Sequence, residues 1–197
     1  MIHESIFGWF NYQQIFDMAI EQAEARGGKS IFVEVGAWLG KSSSYMAERL
    51  KIQNIFHKTL GIEIEYWVYD TWQGGGDQHN DITKWFPDNP VDNIFHVFYH
   101  NLFEVKDFYR ARILDTFEAC KLHEDNSLDF VFIDDLHQLE HMRKELRAWW
   151  AKVKVGGIFA GHDYDSNWVE VVQAVDEFAA EYGLIIESIN GSWMVRK

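Results

Sequence analysis

The segment from residue 31 to residue 43 constrains the fold of this chain more than any other. It reads Ile-Phe-Val-Glu-Val-Gly-Ala-Trp-Leu-Gly-Lys-Ser-Ser, an apolar run followed by a turn with two glycines and a helical pattern. A glycine turn lets a ligand approach the bare backbone, and the N-terminus of a helix favours negative charge. Glu34 lies at the end of the apolar run, where an acid is costly unless it holds something. We therefore predict a strand, a ligand-binding turn and a helix.

The rest of the chain alternates apolar runs with helical patterns. These patterns predict strands over residues 30–35, 62–69, 109–114, 127–133, 158–161, 184–189 and 193–196. They predict helices over residues 11–26, 41–50, 94–106, 116–121, 139–153 and 167–182. Strands that alternate with helices imply an α/β fold with a doubly wound, mostly parallel sheet. Asn190-Gly191 between the last two strands predicts an antiparallel hairpin at the C-terminus.

Two local signals suggest element boundaries in the second half of the chain. Gly156-Gly157 predicts a turn between the helix in which Val153 is the last apolar position and the next strand. Asn167 and Glu170 have the spacing of a capping box, which predicts the start of the last long helix.

Length and composition favour one domain over residues 1–197. Residues 1–28 form a predicted N-terminal helical segment, and residues 71–93, rich in Gly, Asp and Asn, form a predicted lid or substrate loop. No apolar run approaches the roughly 20 residues that span a bilayer. No Lys or Arg precedes the first apolar residues, which argues against a signal peptide. The single cysteine, Cys120, fits packing in a reducing compartment, so we expect cytoplasmic localisation.

The chain is strongly acidic. It has 31 Asp and Glu residues against 18 Lys and Arg residues, which makes a formal net charge of −13. This charge disfavours nucleic acid and anionic membranes as partners. We expect a neutral or cationic small molecule as the substrate, and a homo-oligomer remains open.

Acidic and histidine side chains stand where the predicted parallel strands end. They are Glu34, Asp70, Asp115, the pair Asp134-Asp135 and the pair His162-Asp163. Ligands of such sheets bind outside the carboxyl ends of the strands. The repetition predicts a ligand site along this edge of the sheet.

Two phosphate-binding motifs can be excluded. A P-loop needs four residues between its glycines, but only three separate Gly36 from Gly40, and Val35 stands where the first glycine is required. The dinucleotide fingerprint Gly-x-Gly-x-x-Gly is also absent.

Three blocks of the sequence, taken together, resemble the class I S-adenosylmethionine-dependent methyltransferases. They span residues 33–42, 128–137 and 156–164 and are most similar to the metal-dependent O-methyltransferases of small molecules and sugars. The resemblance runs from about residue 30 to the C-terminus. It implies a Rossmann-like, seven-stranded sheet with a C-terminal antiparallel hairpin, and S-adenosylmethionine as the cofactor.

The resemblance also implies a set of cofactor-binding residues. They are Glu34, Gly36, Trp38, Gly40, Ser42, Asp70, Trp72, Asp115, Thr116 and Asp134. Gly36 and Gly40 would let the methionine part lie against the backbone, and Ser42 would bind its carboxylate. Asp70 would accept hydrogen bonds from both ribose hydroxyls; the alternative is a turn residue.

The resemblance also implies residues that would contact the adenine. Trp72 would cover it, with packing in the core or lid as the alternative role. Asp115 and Thr116 stand where the family recognises the adenine edge.

Asp134, His162 and Asp163 form a candidate metal site. They end two strands that would lie about 5 Å apart, so their side chains can converge. In the sugar O-methyltransferases the corresponding positions are acids that hold magnesium. His162 departs from that pattern and would shift the preference towards manganese, iron or zinc. The alternative is that His162 is not a ligand and no metal binds.

His137 is the candidate general base. It follows Asp134 by three residues, a spacing at which sugar-methylating relatives can carry a base, and neutral imidazole can take a proton from a hydroxyl near pH 7. The alternative is a packing or capping role. His137 to His141 also matches the His-x-x-Glu-His motif of inverted zinc peptidases, but little chain remains for the required downstream glutamate. We therefore expect Glu140 and His141 to lie on a solvated helix face.

The sequence thus predicts an S-adenosylmethionine-dependent O-methyltransferase that acts on a hydroxyl of a small molecule, with a sugar as one candidate, assisted by a divalent metal. Two other functions remain open. One is a non-catalytic domain that binds the cofactor or a partner protein. The other is a related metal-dependent protein with hydroxylase-like chemistry.

Overall fold

A seven-stranded sheet forms the centre of the computed structural model, which describes residues 1–74 and 93–197. Its strands are β1 (Lys29–Val35), β2 (Glu63–Asp70), β3 (Arg110–Ile113), β4 (Leu128–Ile133), β5 (Val153–Gly161), β6 (Glu187–Ile189) and β7 (Ser192–Arg196). They are ordered β3-β2-β1-β4-β5-β7-β6; the first five are parallel and β7 is antiparallel to both neighbours. The predicted α/β, Rossmann-like sheet with a C-terminal hairpin is confirmed.

Helices cover both faces of the sheet. They are α1 (Gln13–Arg26), α2 (Lys41–Leu60), α3 (Ile94–Asn101), α4 (Thr116–Cys120), α5 (Leu139–Lys152) and α6 (Val169–Tyr182), with 3-10 turns at Ile2–Ser5 and Phe103–Phe108. Successive residues of a strand point to opposite faces. Accordingly, Phe130 and Phe132 of β4 lie in the core under α1 and α2, whereas Val131 and Ile133 lie in the core under α5 and α6.

The strand order reverses between β1 and β4, and this places two loops side by side. The amide of Asp134, just after β4, donates to the carbonyl of Val35 at 2.8 Å. The amide of Gly36 donates to the carbonyl of Tyr69 at the end of β2, at 2.9 Å. Crevices at such a reversal are the usual ligand sites of open α/β sheets.

Two predicted boundaries were wrong. Helix α2 does not stop at Leu50 but continues to Leu60, because no glycine or proline interrupts it before Gly61, which ends it in a left-handed conformation. Strand β5 starts at Val153, whereas the sequence pattern predicts a helix up to this residue. Gly156-Gly157 therefore lies inside a strand, where the register with β4 shifts, and is not a turn between elements.

Two further helix predictions need correction. The predicted helix 94–106 breaks at Leu102 and continues as a 3-10 turn. The predicted capping box of α6 does not form, because the cap position is Trp168 and the carboxylate of Glu170 accepts instead from the amide of Leu139 at 2.9 Å. The final hairpin is confirmed, with positive φ at both Asn190 and Gly191.

Most of the predicted lid, residues 71–93, lies outside the described residues, because the structure describes only 71–74 and 93 of it. Among residues 1–74 and 93–197, no helix is long and apolar enough to cross a membrane.

Candidate active site

Two adjoining cavities open at the reversal point of the sheet. The larger, about 450 Å³, lies among the N-terminal segment, the turn after β1 and the ends of β4 and β5. The smaller, about 320 Å³, lies between that turn, the end of β2 and the start of α4. Gly36, Trp38, Asp134 and Asp135 line both cavities. The two cavities are therefore neighbouring parts of one cleft, of the size usual for small-molecule sites.

The two glycines after β1 are required by close packing. Both have positive φ, +80° at Gly36 and +84° at Gly40. A Cβ at Gly36 would overlap the carbonyl oxygen of Asp134, and one at Gly40 would overlap the side chains of Leu102 and Phe98. Gly36 lines both cavities, whereas Gly40 lines neither and serves the packing of α3 against α2.

Glu34 holds the first turn of α2 and does not line either cavity. Its side chain is fully buried and accepts hydrogen bonds from Ser42, from Ser43 at 2.6 Å and from Tyr66. Burial raises the pKa of Glu34 to about 7, and these three hydroxyl donors oppose the shift. The carboxylate of Glu34 is therefore used inside the protein, and its predicted contact with the cofactor stays a prediction.

Ser42 lines the larger cavity, as expected for a cofactor residue, but its hydroxyl proton is donated to Glu34. The predicted contact of Ser42 with the carboxylate of the cofactor stays a prediction. Neighbouring Lys41 also lines the cavity and carries the positive charge that an anionic ligand group needs.

Asp70 organises the turn after β1. Its Oδ2 accepts from the amides of Ala37 and Trp38, both at 2.8 Å, and its Oδ1 accepts from the amide of Trp72 at 2.6 Å. Burial raises the pKa of Asp70, and the backbone hydrogen bonds oppose the rise. These hydrogen bonds give Asp70 a structural role in the turn. Asp70 also lines the smaller cavity, and its contact with the ribose of the cofactor stays a prediction.

Trp72, Asp115 and Thr116 line the smaller cavity with Asp70. Trp72 is 7% exposed and packs edge-on against Phe95, and its Nε1 donates to the carbonyl of Trp38 at 2.9 Å. Asp115 caps α4, whose first amides donate to its carboxylate, and Thr116 accepts from the indole of Trp149 at 2.8 Å. Each residue thus has a structural partner as well as a place in the cavity wall.

Asp134, His162 and Asp163 converge in the larger cavity, as their positions at strand ends predicted. The Nδ1 of His162 lies 3.2 Å from Oδ1 of Asp163 and 3.6 Å from Oδ2 of Asp134. Each of the three side chains offers one possible metal-ligand atom, and these atoms all lie within 4.8 Å of one another, which is close enough for them to share a cation. Tyr12 borders the cluster, with its hydroxyl 3.5 Å from Oδ2 of Asp134.

The charges of this cluster shift one another's pKa values. Burial by itself would lower the pKa of His162, but Asp134 and Asp163 outweigh it and raise the pKa to about 9. Burial raises the pKa of Asp134 to about 6, although the charge of His162 acts in the opposite direction. For Asp163, hydrogen bonds from His137 and His162 outweigh burial and lower the pKa to about 2. Near pH 7, therefore, His162 is a cation between two acids.

Asp163 joins the candidate base to this cluster. Its Oδ2 lies 2.7 Å from Nε2 of His137, while its Oδ1 faces His162. The ring of His137 is stacked on Trp168, with centroids 4.0 Å apart. His137 is thus held on two sides at the wall of the larger cavity, and the structure brings it together with all three candidate metal ligands.

Several residues of the larger cavity are not predicted from the sequence. Trp9, Tyr12, Lys41 and Trp168 line it, and Trp9 stacks on Trp38 with centroids 5.7 Å apart and an interplanar angle of 19°. For Trp9 and Tyr12 the only available signal was the aromatic pattern at residues 7–12. Nothing in that pattern shows that the N-terminal segment returns to the ends of β4 and β5.

Comparison with protein families matches residues 33–164, more than half of the chain, to a model described as a methyltransferase domain. The chain belongs to this methyltransferase family. The match covers the turn after β1, the cluster around Asp134 and the candidate base His137. Together with the sheet order, it identifies the protein as a class I, S-adenosylmethionine-dependent methyltransferase.

Solved structures share the fold of this methyltransferase. The O-methyltransferase NovP is 18% identical, with 93% of this chain and 78% of that chain covered and a TM-score of 0.69. CalS11, a TDP-rhamnose 3'-O-methyltransferase of calicheamicin biosynthesis, is 14% identical over 92% and 76%, with a TM-score of 0.58. A Bacillus cereus O-methyltransferase in complex with SAH is 12% identical over 96% and 83%, with a TM-score of 0.56. No curated protein gave a match.

Proposed function

We propose that this methyltransferase methylates a hydroxyl group of a small polar molecule, and that a sugar is the favoured acceptor. The observation that carries the proposal is His137, held 2.7 Å from Asp163 in the wall of a cavity that adjoins the turn after β1. A hydroxyl needs a base when it becomes a nucleophile, and a positioned imidazole is suited to that step.

The hydrogen bond with Asp163 favours one tautomer of His137. Asp163 is ionised at neutral pH and accepts hydrogen bonds only, so Nε2 of His137 carries the hydrogen that it receives. The lone pair then lies on Nδ1, an atom that is buried in the structure, so the cavity wall would have to open locally before this atom could take the proton from the acceptor hydroxyl. The negative charge of Asp163 would stabilise the imidazolium that forms, as in other carboxylate–histidine pairs.

The walls of the larger cavity suit a sugar. Trp9, Trp38 and Trp168 offer flat apolar surfaces, and Asn11, Asp165, Asn167 and Asn190 offer polar groups around them. Aromatic faces can pack against the C–H groups of a sugar ring, while amides and carboxylates exchange hydrogen bonds with its hydroxyls. The fold similarity to CalS11, which methylates TDP-rhamnose, agrees with this choice.

S-adenosylmethionine would supply the methyl group, and the described residues fit it. Trp38 has a buried Nε1 that makes no hydrogen bond with the described residues, although it lines both cavities. A buried hydrogen-bond donor usually has an acceptor, and a bound ligand would supply one for Nε1 of Trp38. Gly36 and Trp38 would contact the ligand near the larger cavity, and Asp70, Trp72 and Asp115 would contact it in the smaller cavity.

Asp134, His162 and Asp163 would hold a divalent metal ion in the proposed mechanism. The ion would lower the pKa of an acceptor hydroxyl, and its position beside Asp163 would leave His137 to remove the proton. The competing arrangement needs no metal, because the imidazolium of His162 already supplies a positive charge between the two acids.

Calorimetry and product mass test the proposed function. We expect S-adenosylmethionine to bind, and Asp70→Asn to weaken binding at least tenfold, which is about 1.4 kcal/mol. Asp107→Asn, on the exposed 3-10 turn, is the matched control and should bind normally. Incubation with a panel of nucleotide sugars and phenols should give a product heavier by one methyl group. Binding without any product would favour the non-catalytic domain, and a product heavier by one oxygen would favour hydroxylase chemistry.

Chelation tests the metal at Asp134, His162 and Asp163. We expect exhaustive chelation to lower kcat at least tenfold, since the acceptor hydroxyl would keep its ordinary pKa, and added Mg²⁺, Mn²⁺, Fe²⁺ or Zn²⁺ to restore it. His162→Gln should then change which ion restores the most activity, because it removes the nitrogen ligand. Full activity in the chelated enzyme would show that the reaction needs no metal ion.

A further inference from the structure

A second group of metal-ligand side chains lies at the wall of the smaller cavity. Nε2 of His141 is 3.4 Å from Oδ2 of Asp135 and 3.8 Å from Oε2 of Glu145. One ligand atom from each of the three side chains lies within 4.8 Å of the others. His141 and Glu145 are four residues apart on α5, so they share a helix face, and Asp135 follows β4.

Glu145 is a buried acid without adequate partners. Its side chain is 0% exposed, and among the residues that the structure describes neither of its oxygens makes a hydrogen bond. Nε2 of His141 is also buried and makes no hydrogen bond among the described residues, and it lies near both Asp135 and Glu145. A buried carboxylate in this state is costly unless a proton or a cation neutralises it.

The groups around Glu145 favour a positive ligand. Asp135 and Asp134 place two further negative charges near the buried carboxylate of Glu145, and the hydroxyl of Thr116 is a neighbouring hydrogen-bond donor. Within the described part of the chain, His141 is the only ion-pair partner of Glu145. The cluster therefore combines two acids with one imidazole and lacks a Lys or Arg counter-charge.

We propose that Asp135, His141 and Glu145 form a binding site for a Zn²⁺-like transition-metal ion, separate from the cluster at Asp134, His162 and Asp163. Zinc prefers histidine nitrogen and carboxylate oxygen, and ligands of a tetrahedral ion lie about 3.4 Å apart when the bonds are about 2.1 Å long. The 3.4 and 3.8 Å separations of Nε2 of His141 from the two carboxylate oxygens are close to this geometry. Two carboxylates and a neutral imidazole would balance the charge of the ion.

The fourth position of the ion would face the smaller cavity, because Asp135 and His141 both line that cavity. The ion would link the loop after β4 to the first two turns of α5. This arrangement separates the two histidines of the His-x-x-Glu-His motif, since His137 pairs with Asp163 and His141 faces Asp135. The prediction of a solvated face holds for Glu140, which is exposed and pairs with Arg143, but was wrong for His141.

The test removes the other cluster first. In the double variant Asp134→Asn/Asp163→Asn only His162 of that cluster remains a good ligand, and Asn tolerates the φ of +59° at position 163. We expect this variant to bind one equivalent of Zn²⁺ in calorimetry and to retain it after dialysis, measured by elemental mass spectrometry. Adding Glu145→Gln should weaken binding at least 100-fold, whereas the matched control Glu140→Gln should leave it unchanged.

Two results would overturn the proposal. One is a double variant that binds no Zn²⁺; the other is equal Zn²⁺ affinity with Glu145 and with Gln at this position. If a variant fails to fold, histidine-selective NMR on the wild-type protein decides the question. Zn²⁺ must then shift the ring signals of His141, assigned by their loss in His141→Gln, and unshifted signals reject the site.

Discussion

Replacing Gly36 by alanine should destabilise this methyltransferase by about 3–5 kcal/mol, as measured by urea unfolding. Two costs add. A side chain at φ +80° is strained, and the new Cβ would overlap the carbonyl oxygen of Asp134 and lie 3.0 Å from the amide nitrogen of Asp135. Relief of the overlap requires a shift of the backbone between β1 and β4. Because Gly36, Asp134 and Asp135 line both cavities, the folded fraction should also bind S-adenosylmethionine poorly.

Gly156 is the matched control for this prediction. It has the same φ of +80°, but a Cβ there would meet no atom within 4 Å. Gly156→Ala should therefore cost only the conformational strain, about 1–2 kcal/mol, and leave cofactor affinity unchanged. Equal losses of stability in the two variants would show that the close approach of the two loops is unimportant and that only backbone strain matters.

His137→Ala should lower kcat by about 10²–10⁴, the usual contribution of a general base. Calorimetry should find the affinity for S-adenosylmethionine nearly unchanged, because His137 lines only the larger cavity. Asp163→Asn should lower kcat as well, since it removes the charge that stabilises the protonated base while it keeps the left-handed backbone. Both variants should be compared at several pH values, because loss of the base should change the pH profile and not only the rate.

His100→Ala is the matched control, since it removes an exposed histidine from α3 and should leave kcat unchanged. Turnover of His137→Ala at the wild-type rate would exclude His137 from proton transfer. Its stacking on Trp168 and its bond to Asp163 would then be structural.

The fold was predictable because its signals are local. The apolar run of β4, the alternation of strands with helices and the Asn190-Gly191 turn each depend on neighbouring residues, and each is confirmed. Boundaries were less predictable where tertiary packing decides them. Val153 reads as the last apolar position of a helix, yet it pairs with Leu128 as the first residue of β5.

The candidate site was predictable as a set of residues but not as a set of contacts. Asp134, His162 and Asp163 end neighbouring strands, so their convergence followed from the topology. The hydrogen bonds of Glu34 did not follow from the topology, because the packing of α2 against β2 brings its partners Ser43 and Tyr66 to it. The same holds for His141, whose neighbour Asp135 belongs to a different element.

The sequence by itself determined the α/β architecture and the turn after β1, because these depend on the type and spacing of nearby residues, and its resemblance to the methyltransferases indicated the class of enzyme. Only the tertiary structure decided which polar groups share a partner. The carboxylate of Asp163 contacts both His137 and His162, and that of Asp70 accepts hydrogen bonds from the backbone of the turn. Glu145 is buried and makes no hydrogen bond among the described residues. Such pairing depends on distances of a few ångströms between elements that are far apart in the chain, and local pattern contains no information about those distances.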